Sequence, residues 1–190
     1  PAAGTFRPTN RAHRRYLMPT ILLTGASGYI GSHTWLALNA AGYDVIGLDN
    51  FCNSSPRVLD RLATLLGRPA VFEQADVCDA AALDAVFSRH HIDAVVHFAA
   101  LKAVGESTTQ PLAYYGNNIG GLVQLCKVMQ SHAVRRFVFS SSATVYGDPK
   151  SLPITETADL SATNPYGQTK LMGVQDLSDL DRLRELFETF

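Results

Sequence analysis

The stretch Asn164-Pro165-Tyr166-Gly167-Gln168-Thr169-Lys170 holds a tyrosine and a lysine four residues apart. Helical spacing places Tyr166 and Lys170 on one face, with the ammonium one turn beyond the phenol. Asn164 suits an N-cap and Pro165 the first helical position, so Tyr166 falls in a first turn, where the helix dipole favours negative charge. A phenol acts as a base near neutral pH only if its anion gains roughly 4 kcal/mol. One cation about 4 Å away, at an effective dielectric near 20, supplies about that much. Tyr166 is therefore a candidate general base with Lys170 as its helper. Serines at the end of "RFVFSSSATVYG" offer hydroxyls nearby, and Ser142 is the one expected to share a hydrogen bond with a substrate hydroxyl. Alone, Tyr-x-x-x-Lys describes an ordinary exposed pair, so its meaning depends on what surrounds it.

The surroundings begin with "TGASGYIGSH". Gly25, Gly28 and Gly31 follow an apolar strand and open a helical stretch. Missing side chains let the turn tighten, let backbone N–H groups approach a pyrophosphate, and let helix pack on strand. The helix N-terminus favours the phosphates. Asp49 ends the second apolar run, eighteen residues beyond Gly31, where a carboxylate holds adenosine ribose hydroxyls and repels a 2′-phosphate. The pattern therefore predicts NAD rather than NADP as cofactor. An oxidised nicotinamide beside Tyr166 would further favour its anion. Asp76, in "EQADV" at the end of the third run, is a second acid at the same edge. It is expected either to meet the adenine amine or to cap the helix that follows.

These residues need a scaffold, and the chain alternates between two periodicities. "TILLTG" and "DVIGLDN" read as strands buried on both faces, and "AVFEQAD", "DAVVHFAA" and "RFVFSSS" as three further strands. Between them lie helical stretches at about 29–41, 56–66, 80–89 and 111–131, and a last helix starts near Pro165. Such alternation calls for an α/β fold, a doubly wound, Rossmann-like parallel sheet of about five strands and six helices. Composition narrows the function classes. A net charge of −1 gives no reason to expect nucleic acid or an anionic membrane as partner. Three scattered cysteines suggest reduced thiols and a cytoplasmic location rather than a disulfide frame. The histidines lack metal-ligand spacing, so no metal is expected. No apolar run approaches membrane-spanning length.

Several motifs together, "TGASGYIGSHT", "DVIGLDNFCNSS", "HFAALKAVGES", "YYGNN", "FSSSATVYGD" and "NPYGQTK", are similar to those of the extended short-chain dehydrogenase/reductase family. Within it they resemble the branch that epimerises UDP-sugars, from about Met18 to Gln175. Ala100 departs from the glycine common at its position. The resemblance implies that Tyr166 removes the sugar 4′-hydroxyl proton while the C4′ hydride passes to NAD, converting UDP-glucose and UDP-galactose into one another. It implies Lys170 on the nicotinamide ribose and Ser142 assisting. It also implies Gly25, Gly28, Tyr29, Ile30 and Gly31 at the phosphates, Asp49 and Asn50 at the adenosine ribose, and Asp76 and Val77 at the adenine. Phe98, Ala99, Lys102, Asn117 and Ser140 would complete the cofactor site. A homodimer is implied for full-length members. A 4,6-dehydratase needs an acidic pair where this chain has Ala143-Thr144, whereas a uronate epimerase or a sugar reductase fits as well.

Residues 18–190 are thus expected to be the NAD-binding domain, with the C-terminal substrate domain of the family absent. A catalytically inactive NAD-binding fragment is the alternative. The fifth strand should then be a sheet edge, and apolar positions on the last helices should be exposed. The tail carries Leu177, Leu180, Leu183, Leu186, Phe187 and Phe190 at helical spacing. Residues 1–17 form a basic leader with four arginines and no acid, expected to be disordered. It reads as upstream sequence before a start at Met18 rather than as a transit peptide, because it lacks a clear amphipathic pattern.

Overall fold

The structure is a computed structural model; it describes residues 18–187, with side chains through residue 180. The expectations for the leader, for Phe190 and for the tail side chains from Leu183 onward lie outside the described residues. Five parallel strands form one sheet: β1 (Thr20–Thr24), β2 (Asp44–Asp49), β3 (Val71–Gln74), β4 (Ala94–His97) and β5 (Arg136–Phe139), in the order β3-β2-β1-β4-β5. The helices are α1 (Tyr29–Ala40), α2 (Arg57–Leu66), α3 (Ala80–Arg89), α4 (Val104–Thr109), α5 (Pro111–Tyr114), α6 (Gly121–Ser131) and α7 (Pro165–Phe187).

The inner strands β1, β2 and β4 have two buried faces because alternate residues feed two separate cores. Leu22, Ile46, Leu48 and Val95 face α3 and α6, where they meet Leu83, Val86, Leu125 and Val128. Ile21, Leu23, Val45 and Val96 face α1 and α2, where they meet Trp35 and Leu62. This is the doubly wound, Rossmann-like arrangement that the alternation predicts. The order in which strands are added reverses between β1 and β4, and a crevice opens above the carboxyl ends of those two parallel strands, as the topology requires.

Four local expectations change. The helix expected over 111–131 is α5 and α6 joined by a π-helical turn, Tyr115–Gly120, whose wider spacing is a local distortion of the α-helix. Counted as one continuous helix, this gives six such helices among the described residues, the short 3-10 turn aside, including α4, which apolar spacing did not place. The strands are also shorter than the apolar runs: β3 stops at Gln74, before Asp76, and β4 stops at His97. A short 3-10 helix, Ala143–Tyr146, follows β5, capped by the Ser142 side chain.

β5 is an edge, as expected, with Val138 exposed. An apolar groove of about 550 Å³ lies beside it, lined by Leu122, Val123, Met129, Phe137, Leu177 and Leu180. On the inner strand β2, Gly47 makes room for Trp35: a Cβ at Gly47 would stand 2.0 Å from the indole. Gly47→Ala should therefore displace that ring and destabilise the domain by about 1–3 kcal/mol. Urea unfolding followed by fluorescence of Trp35, the one tryptophan of the chain, measures this directly.

Candidate active site

The crevice, about 200 Å³, collects residues from every strand end. Gly25, Gly28, Tyr29, Ile30 and Gly31 line it from the first turn, and Asp49 and Asn50 from β2. Val77 comes from beyond β3, Phe98, Ala99 and Lys102 from beyond β4, and Asn117 from the π turn. Ser140 follows β5, and Tyr166 and Lys170 open α7. These residues, spread over about 145 positions of sequence, share one space because parallel strands bring all their carboxyl ends to one edge.

The glycine turn is tight for physical reasons that differ along it. Gly25 has φ +66°, and a Cβ there would come within 2.7 Å of the Ala99 nitrogen. At Gly31 a Cβ would meet the Gly25 carbonyl at 2.2 Å, so α1 presses directly on the turn. Gly28 is the N-cap of α1 and offers no side-chain hydrogen bond. By contrast, Asp79 caps α3, and Asn164 caps α7 by accepting from the Gly167 N–H at 2.8 Å. The first-turn N–H groups of α1 are thus left directed at the crevice, which suits a phosphate. A dinucleotide fits this donor set.

Asp49 is buried, and its carboxylate is held by the N–H groups of Ser27 and Phe51 and by the Ser54 hydroxyl. Asp76 is not among the lining residues. Its carboxylate accepts from Asn50 at 2.9 Å and from the Cys78 N–H at 2.8 Å. Burial raises its pKa, but these hydrogen bonds outweigh that and hold it below the usual carboxylate value. The cap of α3 is Asp79, so Asp76 is not that cap; its carboxylate ties the end of β2 to the segment after β3.

Ser142 also stands apart from the lining, which takes Ser140 and Ser141 instead. Its Oγ accepts from the Thr144 N–H at 3.2 Å and from the Thr144 hydroxyl at 2.9 Å, which leaves its own proton to donate. Lys170 is 4 % exposed, and burial pushes its amine down to about 8. Its Nζ donates to the Ser140 carbonyl at 2.8 Å and lies 4.7 Å from the centre of the Phe139 ring.

Spacing along the chain missed two buried groups. Asn118, on the π turn, uses its whole amide: Oδ1 accepts from Leu101 N–H and Asn117, and Nδ2 donates to the Leu101 carbonyl and to Thr169. It thereby pins the loop after β4 to α7. Its signal was the polar pair in "YYGNN". His97 ends β4 with its Nδ1 2.7 Å from the Thr24 hydroxyl. Burial, then the nearby Lys170 charge, pushes this imidazole down to about 3, so it is neutral. Its signal was one polar residue inside an apolar strand.

Fold and crevice together define the class of doubly wound domains that receive a dinucleotide at the carboxyl edge of a parallel sheet. Over residues 21–187 the chain matches the NAD dependent epimerase/dehydratase family, and it belongs to that family. It is 54 % identical over 160 residues to the UDP-glucose 4-epimerase of Bacillus subtilis, covering 84 % of this chain and 47 % of that one. The corresponding enzyme of Schizosaccharomyces pombe is 52 % identical over 156 residues. Among solved structures, the Bifidobacterium longum UDP-glucose 4-epimerase in complex with NAD+ and UDP superimposes with a TM-score of 0.83 at 49 % identity. That alignment covers 85 % of this chain and 48 % of the other. The chain spans about half the length of the relatives it matches. Among the described residues no helix is long and apolar enough to cross a membrane, and no cluster of His, Cys, Asp and Glu is arranged to hold a metal.

The neutral His97 makes stability depend on pH with a definite sign. Its folded pKa is depressed below the unfolded value of about 6.5, so its contribution is complete above that pH and is lost as pH falls toward about 3. Unfolding free energy should drop by about 2 kcal/mol between pH 7 and pH 5 from this one group. Urea titrations at the two values should show that drop reduced in His97→Asn.

Proposed function

We propose that the protein carrying this chain interconverts UDP-glucose and UDP-galactose by NAD-dependent epimerisation at C4 of the sugar. The observation that carries this reading is one crevice holding the uncapped N-terminus of α1, the Asp49 carboxylate, Tyr166 and Lys170. Its likeness to UDP-glucose 4-epimerases over 84 % of the chain supports the choice of substrate. NAD bound there would accept a hydride from the sugar and return it to the opposite face of the same carbon.

The remaining roles belong to this chain. Gly28 and the first turn of α1 would receive the pyrophosphate, while Asp49 and Asn50 would hold the adenosine ribose hydroxyls. Val77 and the neighbouring Ala75, which also lines the crevice, would wall the adenine and Asp76 would meet its amine, while Lys102 and Asn117 would lie along the phosphates and the second ribose. Tyr166 would take the proton of the 4′-hydroxyl and give it back. Lys170 would hold the nicotinamide ribose and favour the anion of Tyr166. Ser142 would donate its remaining proton to the same sugar oxygen. Ala143 and Thr144 supply no acid–base pair for water elimination, which argues against a dehydratase. Two copies are proposed to pair, a reading supported by the apolar groove beside α6 and α7.

A second reading, NAD binding without turnover by this chain alone, is favoured by its span of about half its relatives' length. One pair of measurements separates the two: conversion of UDP-galactose to UDP-glucose by this chain, and NAD titration. The epimerase reading expects turnover that falls at least 10²-fold in Tyr166→Phe while NAD affinity changes little. Bound NAD with no conversion in the parent chain selects the second reading. Asp49→Asn should weaken NAD by roughly tenfold and narrow its margin over NADP, because a hydrogen bond to a charged group contributes about 1.5 kcal/mol or more. Comparative titration of the two cofactors checks it.

A further inference from the structure

Lys170 carries an ammonium with three donors in a place almost without water. The Ser140 carbonyl takes one donor. The nearest aromatic face is Phe139, well inside the ~6 Å range in which a ring quadrupole attracts a cation. The ring is placed from three directions. Strand register sets Phe139 opposite His97, and the two rings lie 17° from parallel with centroids 6.1 Å apart. Phe137, two residues back on the same face, is nearly parallel as well, at 15° and 6.5 Å. From above, Gly173 yields space: a Cβ there would stand 2.7 Å from Phe139 Cζ. Gly173 follows Lys170 by three residues and so shares its face of α7.

We propose that Phe139 is a positioning residue for Lys170: its ring face, with the Ser140 carbonyl, replaces water around the ammonium and holds it charged in the crevice. This rests on the assignment of Lys170 to the acid–base site and names what sustains it there. The alternatives for that task are few. Tyr166 and Lys102 line the same crevice, and Lys102 is itself a cation. His97 is neutral beneath the ring. Glu106 is engaged by the Tyr114 hydroxyl. Asp49, the one carboxylate lining the crevice among the described residues, forms no ion pair with Lys170 and accepts from Ser27, Phe51 and Ser54. While Tyr166 is a neutral phenol, stabilisation of the ammonium therefore falls to the two contacts its Nζ makes, a backbone dipole and an aromatic face.

The test is a titration of the full chain carrying ¹³Cε-lysine. Four lysines are present, and the Lys170 resonance is identified by its loss in Lys170→Arg. Phe139 is replaced by phenylalanines with one, three and five ring fluorines, which keep the ring shape while draining charge from its face. The parent midpoint should lie near 8 and should fall stepwise, by about one pH unit across the series. Phe139→Leu should reach a similar value; if that variant does not fold, the fluorinated series decides alone. A midpoint that stays constant across the series overturns the proposal. The signal needs neither cofactor nor turnover, so the outcomes separate cleanly. Stepwise shifts with no epimerase activity would keep this inference and remove the functional reading. Activity with constant midpoints would do the reverse.

Discussion

A cation with almost no water around it is the constraint on which the rest of this structure depends. Lys170 sits where solvation must come from the protein, and burial alone works against its charge. What opposes the loss is an oriented carbonyl at the end of β5 and the aromatic face one residue earlier. Both partners belong to neighbouring residues, Phe139 and Ser140. Correct placement of the ammonium therefore amounts to correct placement of β5 against the first turns of α7.

The fold meets that demand through contacts that begin far from the lysine. β5 is held by β4, and β4 ends in His97, whose ring supports Phe139 and whose Nδ1 is bonded to Thr24 on β1. Thr24 also accepts from the Ala99 N–H, at the start of the loop that borders the crevice. On the helical side, Thr169 donates to the Tyr166 carbonyl and receives from Asn118, which grips the loop at Leu101. Strand ends, loop and helix are thus joined by short hydrogen bonds between buried groups. Each bond is individually modest, yet leaving any one unmade underneath the site would expose an unsatisfied polar group.

Much of this was legible in the sequence because the relevant signals are local. Gly25, Gly28 and Gly31 show a turn by spacing alone, Asp49 shows a strand end, and Tyr166 and Lys170 show a helical face. The alternation of apolar runs showed the sheet. What was hidden depends on geometry that spacing along the chain does not encode. That the lysine answers to Phe139 and the Ser140 carbonyl follows from backbone direction at the end of an edge strand. Asp76 offered itself as the cap of α3, but that place is taken by Asp79, and the Asp76 carboxylate accepts from Asn50 at the end of β2. Ser142 lies beyond the lining because the chain coils immediately into a 3-10 turn that uses its oxygen. The π turn left no apolar mark, since both neighbouring segments keep ordinary helical spacing.

That turn has an effect on how the molecule tolerates change. A helix wound regularly from Pro111 to Ser131 would carry one rotational phase throughout, so any shift needed at the crevice end would be transmitted to the residues packed on the sheet. The wider loop at Tyr115–Gly120 absorbs the mismatch. Asn118 can then point toward Leu101 and Thr169 while Leu122 and Leu125 keep their own seats in the interior. The polypeptide gains a slip joint: chemistry and packing are tuned on either side of it, each with little reference to the other.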